Sequence, residues 1–242
     1  MTICVDKERP ESEGGHWEHA HQHSARGPGA GVMDEATAEW YAANYGDDPT
    51  NEVTVECAAL RPDDVVLDIG CGSGTAVREA AMRVPGGLAI GVDRSPAMLR
   101  IAAEKSATHS ARARIVLVEG DASELPLRDA SVTVAWAINS LHHWDNGMRG
   151  LGEVHRVLSC QGRFLVTEDE HGEGKFGHGD GPFSDAGFVM RALEEAGFEG
   201  VEMSRHIRDE VPILVIACRR SEDGGLDVEP GAAGGAQRDS TA

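Results

Sequence analysis

Aromatic residues are scarce in this chain: Trp, Tyr and Phe make up 5% of 242 residues. Its core must therefore be filled mainly by Ala, Val, Leu and Ile. Basic residues are also few, with 22 Lys and Arg against 41 Asp and Glu and a formal charge of −19. That balance argues against nonspecific binding to nucleic acid or to an anionic membrane, since both need a basic surface. Cysteine pairs are missing too: Cys4, Cys57, Cys71, Cys160 and Cys218 are odd in number and far apart. They indicate neither a disulfide framework nor a zinc knuckle, and free thiols in a reducing cytoplasm are the plain expectation. No apolar run approaches the ~20 residues of a membrane helix. The first ten residues show no signal-peptide pattern, and no internal repeat is visible.

What is present organises into one α/β domain between two polar ends. Residues 1–32 form a His- and Gly-rich leader in which His16, His19, His21 and His23 cluster. Nothing nearby would fix ligand geometry there, so the cluster reads as a solvated arm rather than a metal site. Residues 33–62 suit two cap helices. The first spans 33–45 with Trp40, Tyr41 and Tyr45 as anchors. Turn chemistry follows through Pro49, and the second helix spans 51–60, capped by Thr50 or Asn51. Residues 221–242 read as an acidic Gly/Ala tail.

Between 63 and 220 strands alternate with helices. Strands are expected at 65–69, 88–92, 114–118, 132–138 and 162–167, and helices at 74–84, 97–108 and 148–158. Such alternation requires parallel pairing with right-handed crossovers, hence a three-layer α/β sandwich. A Gly- and acid-rich loop at 168–181 precedes a helix at 186–196. Two closing strands, 201–206 and 212–218, are joined so tightly that they should pair antiparallel.

The first strand breaks into Gly70-Cys71-Gly72-Ser73-Gly74, the strand–turn–helix unit with which α/β domains hold nucleotides. Asp68, two positions before the first glycine, would set a fixed negative charge facing the ligand, repelling a pyrophosphate and attracting an ammonium or sulfonium. Asp93 closes the second strand, about 20 residues after the glycine loop, where a carboxylate can grip ribose hydroxyls. Asp121 follows the third strand, placed to accept from an adenine amine. Asn139 follows the fourth beside the loop mouth. Met98, about one helical turn after Asp93, suits an adenine face. Together these groups suit an adenosine with a cationic appendage.

The runs Asp68-Ile-Gly-Cys-Gly-Ser-Gly, Gly91-Val-Asp-Arg-Ser-Pro-Ala-Met-Leu and Glu119-Gly-Asp-Ala resemble motifs one to three of the class I S-adenosylmethionine-dependent methyltransferases. Asn139-Ser-Leu-His-His-Trp and the stretch from Glu153 to Leu165 resemble the later motifs, and the likeness is greatest to the small-molecule branch. The resemblance implies a Rossmann-like, seven-stranded, mostly parallel sheet with the last strand antiparallel. It implies S-adenosyl-L-methionine as cofactor, approached by Gly70, Cys71, Gly72 and Gly74, with Asp93 and neighbouring Arg94 at the ribose. Asp121 and Ala122 would then recognise adenine, and the Asn139 backbone would lie by the methionine moiety. Cys160-Gln161 stands where the family usually has Pro-Gly.

A cytoplasmic enzyme methylating a small organic acceptor is the resulting expectation, with oligomeric state left open. His143 is the candidate general base, should the acceptor need to lose a proton. The alternatives are a noncatalytic cofactor binder on the same fold or an NAD-dependent oxidoreductase. The latter fits poorly, because Asp68 sits badly with pyrophosphate and Thr75 occupies the place of a third small residue.

Overall fold

The computed structural model describes residues 34–171, 175 and 181–221. Its strands are β1 (Val65–Ile69), β2 (Leu88–Asp93), β3 (Ile115–Glu119), β4 (Val132–Ile138), β5 (Leu158–Asp169), β6 (Phe198–Arg208) and β7 (Val211–Arg220). They form one sheet in the order β3-β2-β1-β4-β5-β7-β6, parallel except that β7 runs antiparallel to both β5 and β6. The helices are α1 (Glu35–Asn44), α2 (Pro49–Cys57), α3 (Thr75–Arg83), α4 (Pro96–Ala107), α5 (Gly147–Val157) and α6 (Ala186–Glu195).

Side chains alternate across each strand, so the sheet carries a separate core on each face. Leu67 and Ile69 join Leu151, Val154, Val189 and Leu193 of α5 and α6. Val66, Val134 and Trp136 join Val53 of α2 and Val77 and Ala80 of α3 on the other. Asp68 shares the face of Val66 by the same alternation, which aims its carboxyl toward α2 and α3. Helix α1 packs outside this frame, through Ala38 and Ala42, on Met98 and Ile101 of α4.

Among the elements whose bounds differ from expectation, two bear on the site. The second cap helix starts at Pro49, not 51, and its cap is Asp48, whose Oδ1 accepts from the Thr50 amide at 2.9 Å. Proline suits the first helical position, because its missing N–H would have no partner there anyway. Strand β5 extends to 158–169, beyond the expected 162–167, since pairing with β7 continues through Glu168↔Leu214 and Asp169↔Ile213. The Cys160-Gln161 turn survives as an irregularity in that strand, with Gln161 at φ 57° and the β4–β5 register shifting opposite it. The His-rich leader, most of the 168–181 loop with His178, and the tail beyond Ser221 lie outside the described residues. Among the described residues no helix is long and apolar enough to cross a membrane.

Candidate active site

The glycine loop is held by backbone bonds that its unusual dihedrals permit. Gly70 has φ 78°, and an added Cβ would meet Ser140 Cβ at 2.7 Å, so only glycine fits. The amides of Gly70 and Cys71 donate to the Val92 carbonyl at 2.8 and 3.0 Å. Asp93 completes the clamp: Oδ2 accepts from the Gly72 amide and Oδ1 from the Ser95 amide, each at 2.8 Å. Burial raises the Asp93 pKa, and these two amides and Arg94 pull it back. Each carboxylate oxygen keeps a second acceptor site for a hydroxyl. Asp93 is therefore a loop clamp in its own right, and it remains able to hold a ribose.

Beyond the carboxyl ends of β1 and β4 lies a cavity of about 100 Å³. The glycine loop and Asp68 form one part of its wall, and Asn139, Asp169 and Asp48 another. Tyr41 and Tyr45 of the α1 segment cover it, with rings 4.8 Å apart. Thr75 Oγ1 donates to the Gly46 carbonyl at 2.5 Å, tying that cover to the start of α3. Asn139 adopts φ 46°, a left-handed conformation that asparagine tolerates. Its Oδ1 accepts from the Asp169 amide at 2.9 Å, and its Nδ2 donates to Thr50 Oγ1 and Asp169 Oδ2, each at 3.3 Å. One amide side chain thus joins β4, β5 and α2 at the cavity.

The expected fixed charge on Asp68 needs correction. The residue lines the cavity but is only 3% exposed, and burial pushes its pKa up to about 7, with its register partner Trp136 opposing the rise. Its charge is therefore conditional, and an arriving cation would favour the ionised form. Asp169 is likewise raised to about 7 by burial, with Asp48 and Glu168 adding to the rise and Asn139 opposing it. Burial raises Tyr41 to about 12, so it stays a neutral phenol.

The other predicted residues fall at several places. Cys71 lies in the cavity wall, its thiol pKa pushed well up by burial. Arg94 pairs with Asp145 at 3.1 Å across the surface. Asp121 Oδ1 accepts from the Ser123 amide at 2.8 Å and from its hydroxyl at 2.7 Å, which lowers its pKa. Ala122, beside it, is half-buried against the core. Met98 is 3% exposed and packs under α1, so it braces the cap helix instead of standing free for a base. Of the predicted residues, Asp68, Gly70, Cys71, Gly72 and Asn139 line the cavity, whereas Gly74, Asp93, Arg94, Met98, Asp121 and Ala122 do not. His143 does not line it either; it is exposed and its ring lies tilted against that of His142, with centroids 3.9 Å apart. The residue it covers is the buried one: His142 Nδ1 faces Glu168 Oε2.

Asp48, Asp169 and Glu168 escaped the sequence reading. A signal existed, because Thr167-Glu168-Asp169-Glu170 is a sharp change from apolar to acidic, and ligands gather at such strand ends. Reading 168–181 as a loop hides that signal, because it separates these acids from β5.

A parallel sheet reversed only at β7, a glycine loop after β1 and a carboxylate closing β2 define the class I methyltransferase architecture. Residues 67–166 match the family model of the methyltransferase domain. The chain is 37% identical over 113 residues to a demethylmenaquinone methyltransferase of Symbiobacterium thermophilum, covering 45% of this chain and 44% of that one. It is 32% identical over 150 residues to the 27-O-demethylrifamycin SV methyltransferase of Amycolatopsis mediterranei, covering 57% and 54%. The matches thus span about half the length of these curated relatives. A crystal structure of an S-adenosylmethionine-dependent methyltransferase from Aquifex aeolicus shares the fold, with a TM-score of 0.61 at 17% identity, covering 77% of this chain and 98% of that one. Residues 67–166, the matched core of the chain, are thus similar to the class I S-adenosylmethionine-dependent methyltransferase family.

S-adenosylmethionine is that family's cofactor, and the site is built to fit it. A Cβ added at Gly72 would meet no protein atom within 4 Å, which leaves open space above the loop backbone. Asp68 beside that space supplies a carboxyl that a cation can ionise.

Proposed function

We propose that this chain transfers a methyl group from S-adenosylmethionine to a small organic acceptor. The observation that carries the reading is the continuity of one cavity from the glycine loop to Asn139, Asp169 and the Tyr41–Tyr45 cover, which lie outside the cofactor-holding loop. The bound cofactor supplies an electrophilic methyl carbon on a sulfonium. The residues of the chain do the rest. The glycine loop and Asp68 hold the methionine end, Asp93 the ribose, and Asp121 with Ala122 the adenine edge. Cys71 forms part of the cavity wall beside the glycine loop, and Asn139 fixes the junction between cofactor and acceptor. The α1 cover excludes water. Alignment of two reactants in such a cleft contributes ~7–11 kcal/mol. The names of the two curated relatives support a small organic acceptor, and the acidic balance of the chain supports it over nucleic acid.

Calorimetry with S-adenosylmethionine, S-adenosylhomocysteine and NAD tests the cofactor half. Incubation with labelled methyl donor and a metabolite extract, followed by mass spectrometry, tests transfer. Binding of both sulfur ligands and a labelled small product are expected. Tight NAD binding without S-adenosylhomocysteine binding would overturn the reading.

A further inference from the structure

The cavity wall carries more acid than the cofactor uses. Among the described residues Asp48, Asp68 and Asp169 line it, and no Lys, Arg or His does. S-adenosylmethionine has a sulfonium, an ammonium and a carboxylate, a net single positive charge, which Asp68 at the glycine loop can offset. Asp48 and Asp169 come from different elements, the N-terminus of α2 and the end of β5. Asp169 has an unmet need. Its Oδ2 accepts from Asn139 Nδ2, but its Oδ1 is buried without a hydrogen-bond partner. A buried oxygen left without a donor is destabilising, and a ligand N–H reaching it would supply the missing bond. Tyr41 and Tyr45 line the same space, and aromatic faces attract cations.

We propose that the methyl acceptor is an amine, bound as its ammonium by Asp169 and Asp48 beneath Tyr41, and that Asp169 takes its proton. This rests on the methyltransfer reading above. In the proton step an N–H bond of the ammonium breaks and an O–H bond forms on the carboxylate. The electron pair stays on nitrogen, which becomes the free nucleophile. The groups facing Asp169 are Asp48 from α2, Glu168 on its own strand and the Tyr41 phenol from α1. Their joint effect with burial holds Asp169 near neutrality, and the same desolvation lowers the pKa of an ammonium toward it.

The test titrates protein saturated with S-adenosylhomocysteine against primary amines and their matched alcohols. The first pair is 2-phenylethylamine and 2-phenylethanol, followed by pairs of smaller and larger ring size. Amines are expected to bind at least tenfold more tightly than their alcohols. Asp169→Asn should erase that preference and leave S-adenosylhomocysteine affinity within threefold. Asp48→Asn keeps the helix cap and should weaken amine binding as well, so it decides the matter if Asp169→Asn does not fold. Equal or tighter binding of alcohols, phenols or carboxylic acids would overturn the proposal, as would a series in which no amine binds. Failure of S-adenosylhomocysteine itself to bind would instead reject the methyltransfer reading.

Discussion

His142 Nδ1 lies 2.8 Å from Glu168 Oε2, with the two side chains 2% and 0% exposed. The pair couples the turn after β4 to the end of β5, the two segments that bring Asn139 and Asp169 to the cavity. Burial pushes the carboxyl of Glu168 well up, against the pull of the Ser140, Leu141 and His142 amides, and pushes the imidazole down to about 4. Both shifts favour the same state, a neutral imidazole beside a protonated carboxyl.

That assignment makes two substitutions diverge. Glu168→Gln offers an amide donor of nearly the same shape, so it should cost no more than about 1 kcal/mol in urea unfolding. Glu168→Ala leaves the buried imidazole without a partner and opens a cavity, and should cost about 3 kcal/mol or more. A Gln variant as unstable as the Ala variant would mean that the pair is ionic. His142 also sets an acid limit. Its folded pKa is depressed, so its stabilising share is complete above the ordinary value of 6.5 and is lost as pH falls toward 4. His142→Phe should flatten that part of the stability profile.

Asp68 should trade stability for binding. Its folded pKa is raised, so the stability linked to its proton is present below the ordinary value of 3.8 and is lost as pH rises through about 7. Asp68→Asn mimics the protonated form. It should raise the melting temperature at pH 8 and leave it nearly unchanged at pH 4, while weakening S-adenosylmethionine binding at least tenfold. Thermal unfolding at both pH values, with calorimetry alongside, reads the two effects separately.

Gly70 and Gly72 should fail differently when each is replaced by alanine. Gly70→Ala forces a methyl to within 2.7 Å of Ser140 at φ 78° and should lower fold stability by about 2 kcal/mol or more. Gly72→Ala meets no protein atom within 4 Å, so its cost to the fold should stay near 1 kcal/mol. Its methyl would instead occupy ligand space and reduce S-adenosylhomocysteine affinity by tenfold or more. Urea midpoints and binding constants of the two variants check the contrast.

Asp93→Ala should weaken cofactor binding at least tenfold. Because Asp93 also holds the Gly72 and Ser95 amides, the variant should in addition lose about 1–3 kcal/mol of stability. Unchanged affinity would show that the end of β2 does not meet the ribose. His143→Ala, by contrast, should leave cofactor affinity within twofold, since the ring is exposed and outside the cavity.

Residue order alone specifies the strands, their parallel crossovers and the glycine turn after β1. Those depend on local patterns: apolar strands, the Gly70–Gly74 turn, and an acid closing β2 at a set distance. Periodicity and turn chemistry are short-range properties and are written directly in the residue order. The far wall of the cavity depends on long-range packing instead. Asp48, Asn139 and Asp169 are separated by up to 121 positions in the chain (169 − 48) and meet because α2 packs beside the ends of β4 and β5. Burial, too, is a tertiary property. It turned the Asp68 charge from fixed to conditional, hid His142 with Glu168, and left His143 outside. No residue pattern states how much water a carboxyl will lose, and that loss is what sets the chemistry of this cavity.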